Sequence, residues 1–121
     1  MTTSEVAQQL VQHCSAGNFE KATRALYSPD IESVEAGAPP GGSRESKGID
    51  AVLAKGEWWV ANHEVHSVKV DGPIVAGAHF AVTFVLDVTF KPAGRRFTME
   101  EVAVYKVQDG KIVYEQFFYN M

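Results

Sequence analysis

The stretch FTMEEVAVYKVQDGKIVYEQFFY, residues 97–119, decides the fold. Two runs rich in β-branched and aromatic residues flank Gln108-Asp109-Gly110, a turn signal with no room for a helix, so the stretch predicts an antiparallel hairpin. Val107-Gln108-Asp109-Gly110-Lys111 suits a three-residue turn with glycine in the left-handed region. That turn sets Val107 opposite Lys111, Tyr105 opposite Val113, Ala103 opposite Glu115, Glu101 opposite Phe117 and Met99 opposite Tyr119. One face then carries Met99, Glu101, Ala103, Tyr105, Glu115, Phe117 and Tyr119. A two-residue Asp109-Gly110 turn instead pairs Tyr105 with Tyr114 and sends Glu115 to the other side, because a one-residue slip moves every side chain across the sheet.

Working outward, Val65 to Val70 and Phe80 to Phe90 read as further strands, bounded by Asp71-Gly72-Pro73 and Lys91-Pro92-Ala93-Gly94. Phe80, Val82, Phe84, Leu86, Val88 and Phe90 alternate with His79, Ala81, Thr83, Val85, Asp87 and Thr89, so the large apolar set is expected to face a core. The opposite, mixed face holds Val85, Val102, Val104, Ile112 and Phe118 among polar residues. It is too apolar to be wholly solvated, and a sheet-to-sheet homodimer would cover it.

The N-terminal half is helical. Thr2 and Glu5 form a capping-box pattern, Val6, Leu10 and Cys14 recur at helical spacing, and Gly17 ends the helix. A second short helix carries Phe19, Ala22 and Leu26 and stops at Ser28-Pro29-Asp30. Ile31 to Ala36 reads as an edge strand and Gly37 to Gly48 as a flexible loop whose Pro39-Pro40-Gly41-Gly42 segment could act as a lid, although disorder there needs no function to explain it. Ile49 to Asn62 forms a third helix with Ile49, Val52, Leu53 and Trp59 on one side. Helices first and strands afterwards define an α+β domain: three N-terminal helices on a curved antiparallel sheet.

The 121 residues hold one domain, 1–121, and their composition is that of an ordinary soluble chain. A net charge of −4 argues against nucleic acid, since phosphate binding wants a basic face. The chain shows neither a membrane-length apolar run nor a signal-peptide pattern, so a cytoplasmic location is expected. The one cysteine, Cys14, reads as a buried inert thiol rather than a reactive one.

The order of elements resembles the nuclear transport factor 2-like superfamily, and within it the small SnoaL-like, ketosteroid-isomerase-like bacterial proteins. Ala16-Gly17-Asn18-Phe19, Tyr27-Ser28-Pro29-Asp30, the helix after Gly48 and the closing Asp109-Gly110-Lys111-Ile112 carry the likeness. The resemblance implies a cystatin-like conical half-barrel with a deep pocket, frequent dimers and no obligatory cofactor. It spans isomerases, polyketide cyclases, epoxide hydrolases and dehydratases as well as non-enzymatic binders, so fold does not fix function. The tyrosine and two aspartates on which ketosteroid isomerase depends fall at Leu10, Ala36 and Ala103 here, which argues against that mechanism.

The residues left to carry chemistry are Glu101 and Glu115, diagonal neighbours in the three-residue-turn register. Carboxyls sharing an apolar pocket repel and are desolvated, which suits proton exchange. His66 and Tyr105 are candidates to assist, and Trp59, Phe84, Phe117 and Tyr119 to shape the cavity. His63 and His66 would share a side only if the helix ran through both, and zinc would need a further ligand such as His79 or Glu115. Arg95-Arg96 reads as a solvated turn. The expected function is binding of a small apolar organic molecule, with isomerase, cyclase, hydratase or hydrolase-type acid–base chemistry if the protein is an enzyme. The alternative is a non-catalytic dimerisation or partner-binding domain with a filled pocket.

Overall fold

The computed structural model describes residues 1–38 and 41–120, so the Pro39-Pro40 part of the expected lid lies outside the described residues. Helices α1 (Thr3–Ser15) and α2 (Phe19–Leu26) lead into strand β1 (Tyr27–Val34). Then come β2 (Glu45–Lys47), α3 (Ile49–Asn62), β3 (His63–Ala76), β4 (His79–Phe90), β5 (Arg95–Gln108) and β6 (Lys111–Phe118). The six strands form one sheet in the order β2-β1-β6-β5-β4-β3. All neighbours are antiparallel except β1 and β6, which run parallel, so the sheet is mixed rather than purely antiparallel.

Three boundaries differ from expectation. Strand β1 begins at Tyr27 and tolerates Pro29 through a register shift between Tyr27 and Glu32; it is internal, because Glu45–Lys47 pairs along its other side as the edge. Asp71-Gly72-Pro73 is an irregularity inside a longer β3, and the chain reverses instead at Gly77-Ala78. Strand β2 falls inside the stretch 37–48 expected as loop, because Glu45–Lys47 pairs with Glu32–Val34, whereas the turn expected after Phe90 is present as a single 3-10 turn at Lys91–Ala93.

The capping box of α1 is formed: Glu5 N donates to Thr2 Oγ1 at 3.1 Å and Thr2 N donates to Glu5 Oε1 at 2.9 Å. The buried stripe below it is Val6, Ala7, Leu10 and Cys14, and this helix packs on β3, β4 and β5. Phe80, Val82, Phe84, Leu86 and Val88 meet it from β4, with Ala103, Tyr105, Val107 and Ile112 from the last hairpin. Helix α3 leans on β1, β2, α2 and the start of β3.

The last hairpin closes with two residues rather than three. Gln108 pairs with Lys111 and Val107 with Ile112, across Asp109 (φ 53) and Gly110 (φ 75). Two successive positive φ values define a type I′ turn. A bulge at Val113 then adds one residue, so that Lys106 pairs with Tyr114 and Tyr105 with Glu115. The extra residue restores the parity the short turn would have lost. Glu115 stays on the Tyr105 face, whereas Ile112, expected outside, is fully buried opposite Val107. A Cβ on Gly110 would come 3.1 Å from the Met1 nitrogen, besides holding an unfavourable φ. Gly110→Ala is expected to cost roughly 1 kcal/mol or more in urea unfolding.

Candidate functional site

Strand β1 presents Ile31, Ser33 and Glu35 to the helix side, β6 presents Glu115, Phe117 and Tyr119, and β5 presents Phe97, Met99, Glu101 and Ala103. Helix α3 covers this corner with Val52, Lys55 and Trp59, spaced three and four residues apart on one face. The result is a cluster of three carboxyls and one ammonium on an apolar bed.

Glu115 is the innermost member, 2% exposed. Tyr27 donates a short hydrogen bond to its Oε1, and Ser33 Oγ donates to Oε2 at 2.7 Å. Lys55 Nζ in turn donates to Ser33 Oγ at 2.7 Å and pairs with Glu35 Oε1 at 2.8 Å. The Tyr119 hydroxyl donates to Glu35 Oε2 at 3.0 Å. One polar chain therefore runs Tyr27–Glu115–Ser33–Lys55–Glu35–Tyr119 from the core to the rim. Phe117 lies beneath the ammonium, its ring centre 5.6 Å from Lys55 Nζ.

Burial pushes the Glu115 carboxyl above the ordinary range; Tyr27, Lys55 and Ser33 oppose that shift by favouring the charged form. Glu101 is half-buried between Met99 and Ala103 and faces Phe84 across the strands. Burial first, then the charges of Glu35 and Glu115, raise its pKa from 4.5 to about 7, with Lys55 acting the other way. Burial also raises Tyr105 well above the usual phenol value, and Tyr119 less strongly, with Glu115 and Glu35 respectively adding to it. The Cys14 thiol is pushed up to about 12 by burial and by Glu115, which makes it an inert core thiol.

The sequence candidates divide. Glu101, Glu115, Phe117 and Tyr119 share one side of the sheet, as expected. The two glutamates are not diagonal neighbours, however. With Tyr105 opposite Glu115 and Ala103 opposite Phe117, Glu101 stands four residues from Glu115's partner along β5. Phe84 and Tyr105 are buried core residues, Tyr105 stacking on Phe80 with ring centres 4.7 Å apart. Trp59 is half-buried and stacks on His63 at 4.3 Å, while Trp58 is exposed.

His66, expected in the pocket, is exposed at the β3 irregularity, with Nε2 2.7 Å from Thr89 Oγ1 on the side away from buried Val88. His63 and His66 point separately. Among the described residues no group of three histidine, cysteine, aspartate or glutamate side chains is placed to hold a metal. Arg96, solvent-exposed as expected, makes a two-pronged pair with Asp87 at 2.8 and 3.0 Å.

Sequence reasoning missed Tyr27, Ser33, Glu35 and Lys55 as members of the site. Lys55 left a signal: it interrupts the Val52–Trp59 stripe of an otherwise core-facing helix face. Two surface hollows, of about 610 and 290 Å³, lie against Val34, Glu45 and Tyr114. Val34 and Tyr114 alternate with inward Ser33 and Glu115, so these hollows are on the outer side; neither is lined by Glu101, Glu115, Lys55 or Tyr119.

Helices over one face of a mixed six-stranded sheet, with carboxyls gathered inside, make an α+β fold of the nuclear transport factor 2-like, cystatin-like kind. A family model described as SnoaL-like domain matches residues 1–119, and the chain belongs to that family. A solved structure from Mesorhizobium loti, named for its likeness to SnoaL-like polyketide cyclases and also labelled carbohydrate phosphatase, is 41% identical with a TM-score of 0.92. That match covers 98% of this chain and 100% of the other. A nuclear transport factor 2-like protein from Burkholderia thailandensis shares the fold at 20% identity and TM-score 0.84, over 99% and 92% of the two chains. A ketosteroid-isomerase-like fold from Catenulispora acidiphila, solved with trimethylamine, does so at 20% and 0.75, over 99% and 88%. None of the curated proteins matches the chain. Leu10 and Ala103, at two of the three positions ketosteroid isomerase uses, are buried core residues. No helix among the described residues is long and apolar enough to cross a membrane.

Proposed function

We propose that this protein binds a small, largely apolar organic molecule inside the cone and moves a proton on it, in an isomerisation, cyclisation or hydration. The observation that carries this reading is Glu101: a half-buried carboxyl beside Phe97, Met99 and Phe117 with a pKa near 7. A group titrating at the working pH supplies both base and acid forms, the condition for efficient general acid–base catalysis. Glu101 is the proton carrier. Glu115, sealed by Tyr27 and Ser33, touches no ligand; its charge helps hold Glu101 in the titrating range. Tyr105 serves through packing, and His66 has no part. The likeness to proteins named as polyketide cyclases supports a carbonyl-bearing substrate.

Carboxyl-carbon NMR tests this. Glu101 is expected to titrate with a midpoint near 7; ionisation near about 4.3, the ordinary glutamate value, would remove the proton carrier.

A second reading is favoured by the outer face. Val85, Val102 and Phe118 are 36%, 44% and 49% exposed. Val102 lies directly opposite Phe118, and both surface hollows open on this side. On this reading the outer face is the working surface, covered by a second copy of the chain. Light scattering is expected to give a dimer mass, and Val102→Lys to halve it by placing a charge in the apolar contact; a monomer at micromolar concentration would end this reading.

A further inference from the structure

Every lysine and arginine of the chain is exposed except Lys55. Its side chain is 28% exposed and its pairing partner Glu35 22%. Long cationic side chains ordinarily reach for water, so one turned inward on a core-facing helix stripe calls for a reason. An ammonium has three N–H donors. One goes to Ser33 and the group pairs with Glu35; no third partner is present among the described residues. Glu101 forms no ion pair with it, although it feels the ammonium's charge.

We propose that Lys55 is the polar anchor of the cone: its remaining N–H receives the acceptor oxygen of an uncharged organic ligand whose apolar body lies against Trp59, Phe97, Met99 and Phe117. Trp59 stands one helical turn from Lys55, Phe117 lies under the ammonium, and Phe97 and Met99 share the inward face of β5 with Glu101. The four side chains are only partly buried against the core, so they offer apolar surface to a visitor. The charge balance selects against an anion. Glu35 already neutralises Lys55, and Glu101 and Glu115 add negative potential whenever they are ionised, so above neutral pH a carboxylate ligand would meet net repulsion. A neutral ketone, ester or amide oxygen meets no such barrier and gains a charge-assisted hydrogen bond. The oxygen would then sit beside the carboxyl that handles the proton, so the anchor orients the ligand for Glu101. This inference rests on the small-molecule reading above and names the ligand class for the same site.

Three naphthalenes of similar size separate the possibilities: 1-acetylnaphthalene, 1-ethylnaphthalene and 1-naphthoate. Binding to the full chain is followed by proton–carbon NMR at the Lys55 ε-methylene and the Trp59 and Phe117 rings. Hydrophobicity alone would favour the ethyl compound. The anchor predicts the opposite: the ketone binds about tenfold more tightly than the hydrocarbon, as one charge-assisted hydrogen bond implies. The ketone also moves the Lys55 signal, and the naphthoate binds more weakly than the ketone. In Lys55→Met the preference for ketone over hydrocarbon disappears. Equal affinities in the wild type, a tighter naphthoate, or a preference that survives K55M would overturn the anchor while leaving the small-molecule reading standing. If K55M does not fold, the wild-type comparison decides alone. Failure of all three probes to move the Trp59 and Phe117 signals would overturn the anchor and the small-molecule reading together.

Discussion

Glu101→Gln should make the protein more stable at pH 8 while abolishing the proton transfer proposed for the site. The unfolded chain ionises Glu101 near 4.5, the folded chain near 7. A carboxyl whose folded pKa lies above its unfolded value binds more protons in the native state between those two pH values. Its contribution to stability is therefore fully present below about pH 4.5 and is lost as pH rises through 7. The shift corresponds to roughly 3 kcal/mol. Glutamine keeps the shape of the neutral acid and never ionises. Urea unfolding is thus expected to show wild type and variant about equally stable at pH 4.5, and the variant ahead by roughly 3 kcal/mol at pH 8. Rates on any substrate should fall in the same variant by about 10²- to 10⁴-fold, the usual worth of a general acid–base group. Parallel pH curves for the two proteins would mean that Glu101 is solvated and ionises like any surface carboxylate. Gain of stability with loss of activity is the pattern of a residue kept for function at the expense of the fold.

How much of this was legible in the sequence depends on the kind of information each feature requires. The helix stripe Val6–Leu10–Cys14 and the alternation Phe80 to Phe90 are local patterns with one physical reading each, and both elements stand where the patterns put them. The last hairpin is subtler. Its face was readable and its pairing was not, since the turn is one residue shorter than its chemistry suggested and the Val113 bulge supplies the missing residue. Two local deviations of opposite sense leave Glu115 inside, yet they move Glu101 away from it and carry Ile112 into the core. The site partners Ser33 and Tyr27 could not be read at all, and Glu35 only as a carboxyl beside Ala36. They reach Glu115 and Lys55 because β1 runs parallel beside β6, a pairing between chain segments 82 to 88 residues apart that no local pattern encodes. Lys55 lies between these cases: its helix was legible and its position on the inward stripe visible, but a lysine's default is the surface.

The largest single loss of stability outside the apolar core is expected from Glu115→Ala. Its carboxyl accepts from Tyr27 on one oxygen and from Ser33 on the other, with all three groups buried. Alanine removes both acceptors, leaves two hydroxyls without a partner for their protons, and opens a void where the side chain stood. Each unsatisfied buried polar group costs about 1–3 kcal/mol, and the lost packing adds to that, so roughly 3–5 kcal/mol is expected. Ser33 also accepts from Lys55, so the loss loosens the hold on the ammonium as well. Glu115→Gln is the informative control. Its amide oxygen still accepts from Tyr27, its size is unchanged and it carries no charge to desolvate, but its NH2 cannot accept from Ser33 and can only donate to that hydroxyl. Because burial raises the Glu115 pKa, the wild type carries a desolvation cost whenever that carboxylate is charged. The glutamine variant, which loses only the Ser33 acceptor, is therefore expected to lie between wild type and alanine variant at low pH and to gain on the wild type as pH rises, while the alanine variant falls below both at every pH. A chemical-denaturation series across pH 5–9 on the three proteins separates these outcomes. If Glu115→Ala cost less than about 1 kcal/mol, Tyr27 and Ser33 would have to find water or other partners, and the polar chain from the core to Lys55 would not be the structural element described above.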